Sequence, residues 1–194
     1  MEQLKQAILS KGVVVDSAVL KVDQFLNHQI DPALMDQIGR AFAERFAADG
    51  ITRVMTIETS GIAPALFTGL HLQVPVLFAK KNESLTLGKD VYCTEVRSFT
   101  KQKVYRIAVE KNYLTPQDRI LLVDDFLAAG QALNGLIELV SQAGAKTVGA
   151  GIVVEKGFQH GGDQLRQQGM RVESLAIIES MDGGKIIFRD AMEV

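Results

Sequence analysis

The segment that most constrains the fold of this chain is residues 120–140, in which an apolar run, two acids and a turn of small residues follow one another. The run at 120–123 is typical of a parallel strand buried on both faces, which needs no alternation with polar residues. The residues after the turn keep the spacing of a buried helical stripe, at Ala132, Leu133, Leu136, Ile137 and Val140. The segment therefore predicts a strand, a turn and a helix of an α/β sheet.

The same segment indicates a ligand site, because ligands of open α/β sheets bind beyond the carboxyl ends of the strands. A tight turn that opens a helix offers free backbone N–H groups and the positive end of the helix dipole, both of which suit phosphate. The residues of this turn are small enough for close approach of an anion; they are Ala128, Ala129, Gly130, Gln131 and Ala132.

Asp124 and Asp125, which end the predicted strand, have three interpretations. They could be a helix-capping acid with a solvated neighbour, ligands of a catalytic magnesium ion, or acceptors for two vicinal ribose hydroxyls. The anion-binding turn that follows favours the third interpretation, and acids beside an anion cradle suggest a phosphorylated sugar.

Composition limits the remaining possibilities. A chain of 194 residues fits a single domain, 1–194, and a net charge of −2 argues against binding to nucleic acid by broad electrostatics. The single cysteine, Cys93, excludes an internal disulfide, and the three histidines lack metal-ligand spacing. Neither a signal peptide nor a bilayer-spanning stretch is apparent, so we expect a cytoplasmic protein without a membrane partner.

The order of the remaining elements predicts a central parallel sheet with helical crossovers. Asp31 and Pro32 begin a helix as its cap and first residue, and Gly50 ends it. The predicted strands are residues 53–57, 75–79, 148–154 and 172–178, with an edge strand at 186–188. Residues 82–103 interrupt this pattern as a polar excursion whose flanks could pair as a hairpin; such an excursion is a lid or a disordered segment, and we favour the lid.

Residues 121–132 resemble the signature of the type I phosphoribosyltransferases, which bind 5-phosphoribosyl 1-diphosphate. In that family an apolar strand ends in two acids, and a loop of small residues binds the 5-phosphate. The chain departs from the pattern at Ala129 and Ala132, where the family usually has Thr or Ser, so backbone N–H groups would be the main phosphate donors. The resemblance implies a central parallel sheet with helices on both faces, a small N-terminal hood built largely from residues 1–30 plus C-terminal residues, and a flexible hairpin lid at about 82–103.

The resemblance also gives roles to two other loops. Ser60 and Gly61, which follow a predicted strand and open a helix, would hold the diphosphate, although a simple helix cap explains them equally well. Lys80 and Lys81 would form an electrostatic clamp on the diphosphate, although a lysine pair is usually solvated surface. Magnesium is expected as a cofactor, bound mainly through the diphosphate, and no protein ligand for it is assigned.

The base site is implied by a resemblance along nearly the whole chain, strongest at residues 20–32, 124–132 and 155–162, to bacterial xanthine phosphoribosyltransferases. On that resemblance Lys156 hydrogen-bonds the 6-oxo group of a purine and Leu20 lines the base. Asn27 contacts the edge of the base, either as a donor to a 2-oxo group or as an acceptor from a 2-amino group. Phe158 either stacks on the base or packs in the core.

The resemblance thus implies an enzyme that converts xanthine and 5-phosphoribosyl 1-diphosphate to xanthosine 5′-monophosphate and diphosphate, and that forms a homodimer. Guanine or hypoxanthine as the base is an alternative within the same class. A non-catalytic regulator that senses phosphoribosyl diphosphate is an alternative from another class. The mildly acidic charge and the lack of a spare segment for a DNA-binding domain weigh against the regulator.

Overall fold

Five parallel strands form the centre of the structure, a computed structural model that describes residues 1–16, 18–81, 90–98 and 103–189. The helices are α1 (Glu2–Lys11), α2 (Pro32–Phe46), α3 (Ile62–Leu72), α4 (Gln131–Gln142) and α5 (Gly161–Gln167). The strands are β1 (Val13–Val14), β2 (Leu20–Lys21), β3 (Arg53–Ile57), β4 (Val76–Lys81), β5 (Val91–Ser98), β6 (Lys103–Glu110), β7 (Arg119–Leu127), β8 (Lys146–Lys156), β9 (Val172–Ser180) and β10 (Ile187–Phe188).

The main sheet has the strand order β10-β9-β8-β7-β3-β4-β6-β5. The strands from β9 to β4 in this order are mutually parallel, whereas β10, β6 and β5 pair antiparallel. The predicted parallel sheet is therefore confirmed. Strand β7 is longer than predicted: it includes Asp124 and Asp125 and runs to Leu127, because its end continues to pair in register with β8.

Helices cover both faces of this sheet, as the alternation of side chains in β7 makes clear. Leu121 and Val123 join one hydrophobic core, together with buried residues of α1 and α2 and with Ala65 of α3. Ile120 and Leu122 join a second core with residues of α4, with Leu165 of α5 and with the β5–β6 hairpin. The fold is thus the α/β architecture that the sequence predicted.

The N-terminal segment, predicted as a small hood, packs against the main core. Leu4 and Ile8 of α1 are fully buried in the first core, and the Met1 ammonium group donates to the Leu175 carbonyl of β9 at 2.6 Å. A short two-stranded ribbon of β1 and β2 follows, and then a π-helical turn, Asp23–Asn27.

The predicted hairpin is present: β5 and β6 pair antiparallel from Val91 opposite Glu110 to Ser98 opposite Lys103. Strand β5 lies within the segment predicted as a lid, and its Val96 is buried beside Gly135 of α4. Residues 82–89 and 99–102, the rest of that segment, lie outside the described residues. None of the helices in the described part of the chain is long and apolar enough to span a bilayer.

Candidate active site

The acidic pair lies near the carboxyl end of β7, in a largely water-excluded position. Asp124 is 5% exposed, and its Oδ1 accepts the backbone N–H of Asp125 at 3.0 Å; Asp125 is half-buried. Burial and the neighbouring charge of Asp125 raise the pKa of Asp124 well above its ordinary value, and the Lys81 ammonium opposes that rise. The site therefore holds a carboxylate that needs hydrogen-bond donors or positive charge from a ligand.

The loop after β3 passes directly over this carboxylate. A Cβ added to Gly61 would overlap the Thr56 hydroxyl and would lie 2.7 Å from Asp124 Oδ1. Thr56 Oγ1 is buried and has no hydrogen-bond partner among the described residues. Ser60 and Gly61 immediately precede α3, so the free N–H groups of that helix begin beside Asp124.

The two lysines predicted as a clamp occupy different places, because neighbouring residues in a strand point to opposite faces of the sheet. The Lys81 ammonium lies 5.3 Å from the Tyr105 ring centre and acts electrostatically on Asp124, and its backbone N–H donates to the Glu58 carboxylate. Lys80 lines another cavity, of about 510 Å³, together with Arg53 and Tyr113. The structure therefore brings Lys81, but not Lys80, to the acidic pair.

The small-residue turn lines a cavity of about 160 Å³ that Asp124 also reaches. Gly130 has a φ of 83°, a left-handed conformation that favours glycine, and it caps the N-terminus of α4. Arg97 and Tyr105 of the β5–β6 hairpin line the same cavity. Neither residue is predicted from the sequence, because only the hairpin pairing places them there; the available signal is a cation and an aromatic residue in the predicted hairpin.

Lys156, at the end of β8, contacts the N-terminal segment. Its Nζ donates to the Ala18 carbonyl at 2.7 Å and lies 5.5 Å from the ring centre of Phe126. Burial lowers the pKa of Lys156, and the charges of Asp16 and Asp125 partly counteract this. Lys156, the residue predicted to hydrogen-bond the base, thus lies between the hood and β7.

The other predicted base residues differ in their placement. Leu20 is buried in the first core, whereas Asn27 is exposed at the end of the π-helical turn. Phe158 is half-buried, packs against the first core, and lines a cavity of about 660 Å³ with Ala18 and Met181. Phe158 thus packs in part against the core and in part faces a cavity, so its position does not decide between stacking on the base and packing in the core.

Next to Lys156 the chain carries a buried ion pair. Glu155 is 1% exposed, and Arg166 of α5 donates to both of its carboxylate oxygens, at 2.9 and 2.6 Å. Glu155 therefore serves the fold rather than a ligand. Within the ranges that the structure describes, no group of three His, Cys, Asp or Glu side chains could hold a metal ion.

Comparison with known proteins identifies the family. Residues 22–164 match the model of the phosphoribosyl transferase domain. Xanthine phosphoribosyltransferase from Ectopseudomonas mendocina is 55% identical over 98% of this chain and 100% of the relative, and that from Oceanobacillus iheyensis is 54% identical over 100% of both chains. The chain belongs to the phosphoribosyltransferase family.

Solved structures agree on the fold. The APRTase from Giardia lamblia, solved in complex with 9-deazaadenine, is similar with a TM-score of 0.72 and 25% identity over 90% of this chain and 96% of that one. Adenine phosphoribosyltransferase from Rhodothermus marinus has a TM-score of 0.71 and 23% identity, over 91% and 97% of the two chains. The resemblance first drawn from residues 121–132 is therefore confirmed for the whole domain.

Proposed function

We propose that this chain is a xanthine phosphoribosyltransferase, which joins xanthine to 5-phosphoribosyl 1-diphosphate and releases xanthosine 5′-monophosphate and diphosphate. The observation that carries the proposal is the meeting, at one edge of the sheet, of a buried acid at Asp124 with an anion-binding turn capped by Gly130. Relatives named for xanthine, at about 55% identity along the whole chain, support the choice of base.

The sugar is assigned to β7 and the turn after it. Asp124 and Asp125 accept the ribose hydroxyls, and the backbone N–H groups of residues 128–132 hold the 5-phosphate at the positive end of α4. As N9 of the base forms its bond to C1 of the ribose, the bond from C1 to the diphosphate breaks, N9 loses its proton to solvent, and positive charge develops transiently on the sugar. The carboxylates temper that charge, so positioning and electrostatics supply the catalysis.

The diphosphate is assigned to the loop after β3 and to Lys81. Ser60 and Gly61 place the N–H groups at the start of α3 next to Asp124, and Lys81 supplies positive charge on the same side of the sheet. Lys80 faces a different cavity, so the clamp in this proposal is Lys81. Magnesium would be held mainly through the diphosphate oxygens, with no protein ligand assigned, and would supply positive charge to the leaving group.

The base is assigned to the space beside Lys156. An ammonium group has three donors, and one of them is occupied by the Ala18 carbonyl, so others are available for a 6-oxo group. In this proposal Leu20 lines the base, Asn27 contacts its edge, and Phe158 either stacks on the base or packs in the core. The proposal extends to a homodimer and to a cytoplasmic location, for which the resemblance and the single cysteine are the respective support.

The experiment that tests the proposal is a competition assay in which xanthine, guanine, hypoxanthine and adenine are supplied together with 5-phosphoribosyl 1-diphosphate and magnesium. We expect xanthosine 5′-monophosphate as the main product, because relatives about 55% identical to this chain are named xanthine phosphoribosyltransferases. A preference for guanine or hypoxanthine would reassign the base but keep the reaction. Binding of phosphoribosyl diphosphate without any nucleotide product would instead favour the non-catalytic regulator.

One substitution tests whether Lys156 binds the base. We expect Lys156→Ala to raise KM for xanthine about tenfold, the loss typical of a hydrogen bond from a charged group, while KM for the sugar donor changes little. Lys21→Ala changes an exposed lysine of β2, in the N-terminal segment that Lys156 contacts; it is the control and should leave both values unchanged. Equal changes in both KM values would remove Lys156 from the base site.

A further inference from the structure

Between β1 and β2, the Asp16 side chain hydrogen-bonds the backbone of Ala18 and Val19. Asp16 Oδ1 accepts the backbone N–H of Ala18 at 2.7 Å and that of Val19 at 2.8 Å, and the N–H of Val15 donates to the Val19 carbonyl at 2.9 Å. An aspartate that bonds the backbone two and three residues ahead of it fixes the course of a turn. The direction of the Ala18 carbonyl is therefore set largely by Asp16.

That carbonyl is the hydrogen-bond acceptor of Lys156. The distance from Lys156 Nζ to the Ala18 oxygen is 2.7 Å, across 138 residues of sequence, and the contact is half-buried. With the Phe126 ring on another side of the ammonium group, the lysine is held from two elements at once. A long, flexible side chain needs such anchors to present a donor in one direction, because it otherwise loses rotamer entropy on binding.

We propose that Asp16 is a positioning residue for Lys156: by accepting the backbone N–H groups of Ala18 and Val19 it directs the Ala18 carbonyl at the ammonium group, and it places an opposite charge near that group. Asp16 does not touch the base in this arrangement; it acts through Lys156. The inference deepens the proposed function and rests on it in one respect, namely that Lys156 contacts the base.

Electrostatics around Lys156 supports the same role. Burial lowers the pKa of Lys156, and the two charges that raise it come from different elements, Asp16 from the hood and Asp125 from β7. Among the described residues, Glu179 and Asp182 also line the cavity next to Ala18, Arg189 approaches Gly157 after β8, and Glu155 precedes Lys156 in the strand. Removing the Asp16 charge lowers the pKa of Lys156 further, so the ammonium group loses its proton at a lower pH.

Kinetics of two variants separate the geometric part of this role from the electrostatic part. Asp16→Ala removes both, and we expect KM for xanthine to rise about fivefold with KM for the sugar donor unchanged. Asp16→Asn keeps an oxygen for the two N–H groups, so KM near neutral pH should largely recover. In both variants the alkaline limb of kcat/KM for xanthine should move to lower pH. Xanthine itself also titrates, but its titration affects the wild type and the variants equally and therefore cancels in this comparison.

Asp31→Asn is the matched control, because Asp31 also accepts two backbone N–H groups, at 3.1 and 3.2 Å, but caps α2 and is not among the groups that act on Lys156. If Asp16→Asn and Asp31→Asn have the same alkaline limb, the inference is overturned. This comparison decides the matter even where Asp16→Ala folds poorly, because the asparagine variant preserves the turn.

A measurement without turnover separates this inference from the proposed function. The pKa of the Lys156 ammonium can be followed by NMR of its side-chain Cε and Nζ, assigned with Lys156→Arg, in the wild type and in Asp16→Asn. A lower pKa in Asp16→Asn supports the inference, and an unchanged pKa overturns it. If the pKa falls but Lys156→Ala leaves KM for xanthine unaltered, the coupling to Asp16 stands and only the base-reading role of Lys156 fails.

Discussion

At Asp124 the demands of stability and catalysis oppose each other. The carboxyl group is buried beside a second acid, and the hydroxyl of Thr56 close to it has no hydrogen-bond partner among the described residues. Removing a charged group from water without full compensation costs free energy. Such a cost is reasonable in an active site, where a ligand with hydroxyl groups and developing positive charge supplies the missing partners.

The first prediction is that Asp124→Asn stabilises the free protein while abolishing turnover. The raised pKa of Asp124 means that its contribution to stability is present at low pH and is lost as pH rises from its ordinary value of 3.8 through the raised one. Asparagine does not ionise and retains the acceptor for the Asp125 N–H. We therefore expect the variant to be more stable than the wild type at pH 8, by about 1 kcal/mol or more, and the difference to shrink towards pH 4.

Urea unfolding of both proteins across this pH range provides the measurement. Asp182→Asn, the same change at an exposed position, is the control and should alter stability by less than about 0.5 kcal/mol at any pH. A variant at Asp124 that is less stable than the wild type at pH 8, or that keeps full activity, would contradict this account of the buried acid.

Among the elements, the turn from β7 into α4 has a conformation that is set mainly by its glycine backbone. Gly130 has a φ of 83° at the helix cap, and the neighbouring turn packs tightly against Gly161, where an added Cβ would overlap the Ala128 carbonyl. The helix opening is thereby held in one conformation without any side-chain hydroxyl from residues 129 or 132. Preorganised backbone N–H groups are what this arrangement offers to a phosphate.

The second prediction concerns that glycine. Gly130→Ala should cost about 1 kcal/mol of stability, because alanine is strained at positive φ, and should raise KM for the sugar donor about tenfold by displacing the N–H groups. Gly169→Ala is a closely matched control: its φ is 85° and an added Cβ would meet nothing within 4 Å. Steady-state kinetics and urea unfolding of both variants should show similar losses of stability but a change in KM only for Gly130→Ala. A normal KM in that variant would remove the turn from phosphate binding.

The sequence predicted this element well but not its surroundings. The apolar run, the acids and Gly130 carry local signals of strand, turn and cap, so β7 and α4 were predictable. The exceptions are Arg119 and residues 124–127, by which pairing with β8 extends the strand at its two ends. Lys80 and Lys81 point to opposite faces of the sheet, and which of them faces the acidic pair depends on strand register, which the sequence did not specify. The contact of Lys156 with Ala18 joins residues 138 positions apart and follows only from packing of the hood.

At the scale of the whole molecule, an ion-pair network connects Glu155, at the active-site edge of the sheet, to Arg189, which follows β10. Glu155 of β8 binds Arg166 of α5, and Asp163 of the same helix binds Arg189, which follows β10 and also contacts Glu179 of β9. Ser174 of β9 completes the network by donating to the Glu155 carboxylate. Because α5 begins against the phosphate turn, we expect this network to support the turn from behind.

The third prediction tests that support. Arg166→Met leaves Glu155 buried without its partner, and breaking a buried pair in this way costs about 3 kcal/mol. Adding Glu155→Gln to this variant removes the unpaired charge, so the double variant should be more stable than Arg166→Met alone.

The control is a pair at the surface. Arg45→Met breaks the ion pair between Arg45 and Glu173, whose charged atoms are 3.6 Å apart, and should cost about 0.5 kcal/mol or less. Urea unfolding distinguishes these outcomes, and equal losses in Arg166→Met and Arg45→Met would mean that the buried pair contributes no more than a surface pair. If the network also supports the phosphate turn, KM for the sugar donor should rise in Arg166→Met and stay unchanged in Arg45→Met.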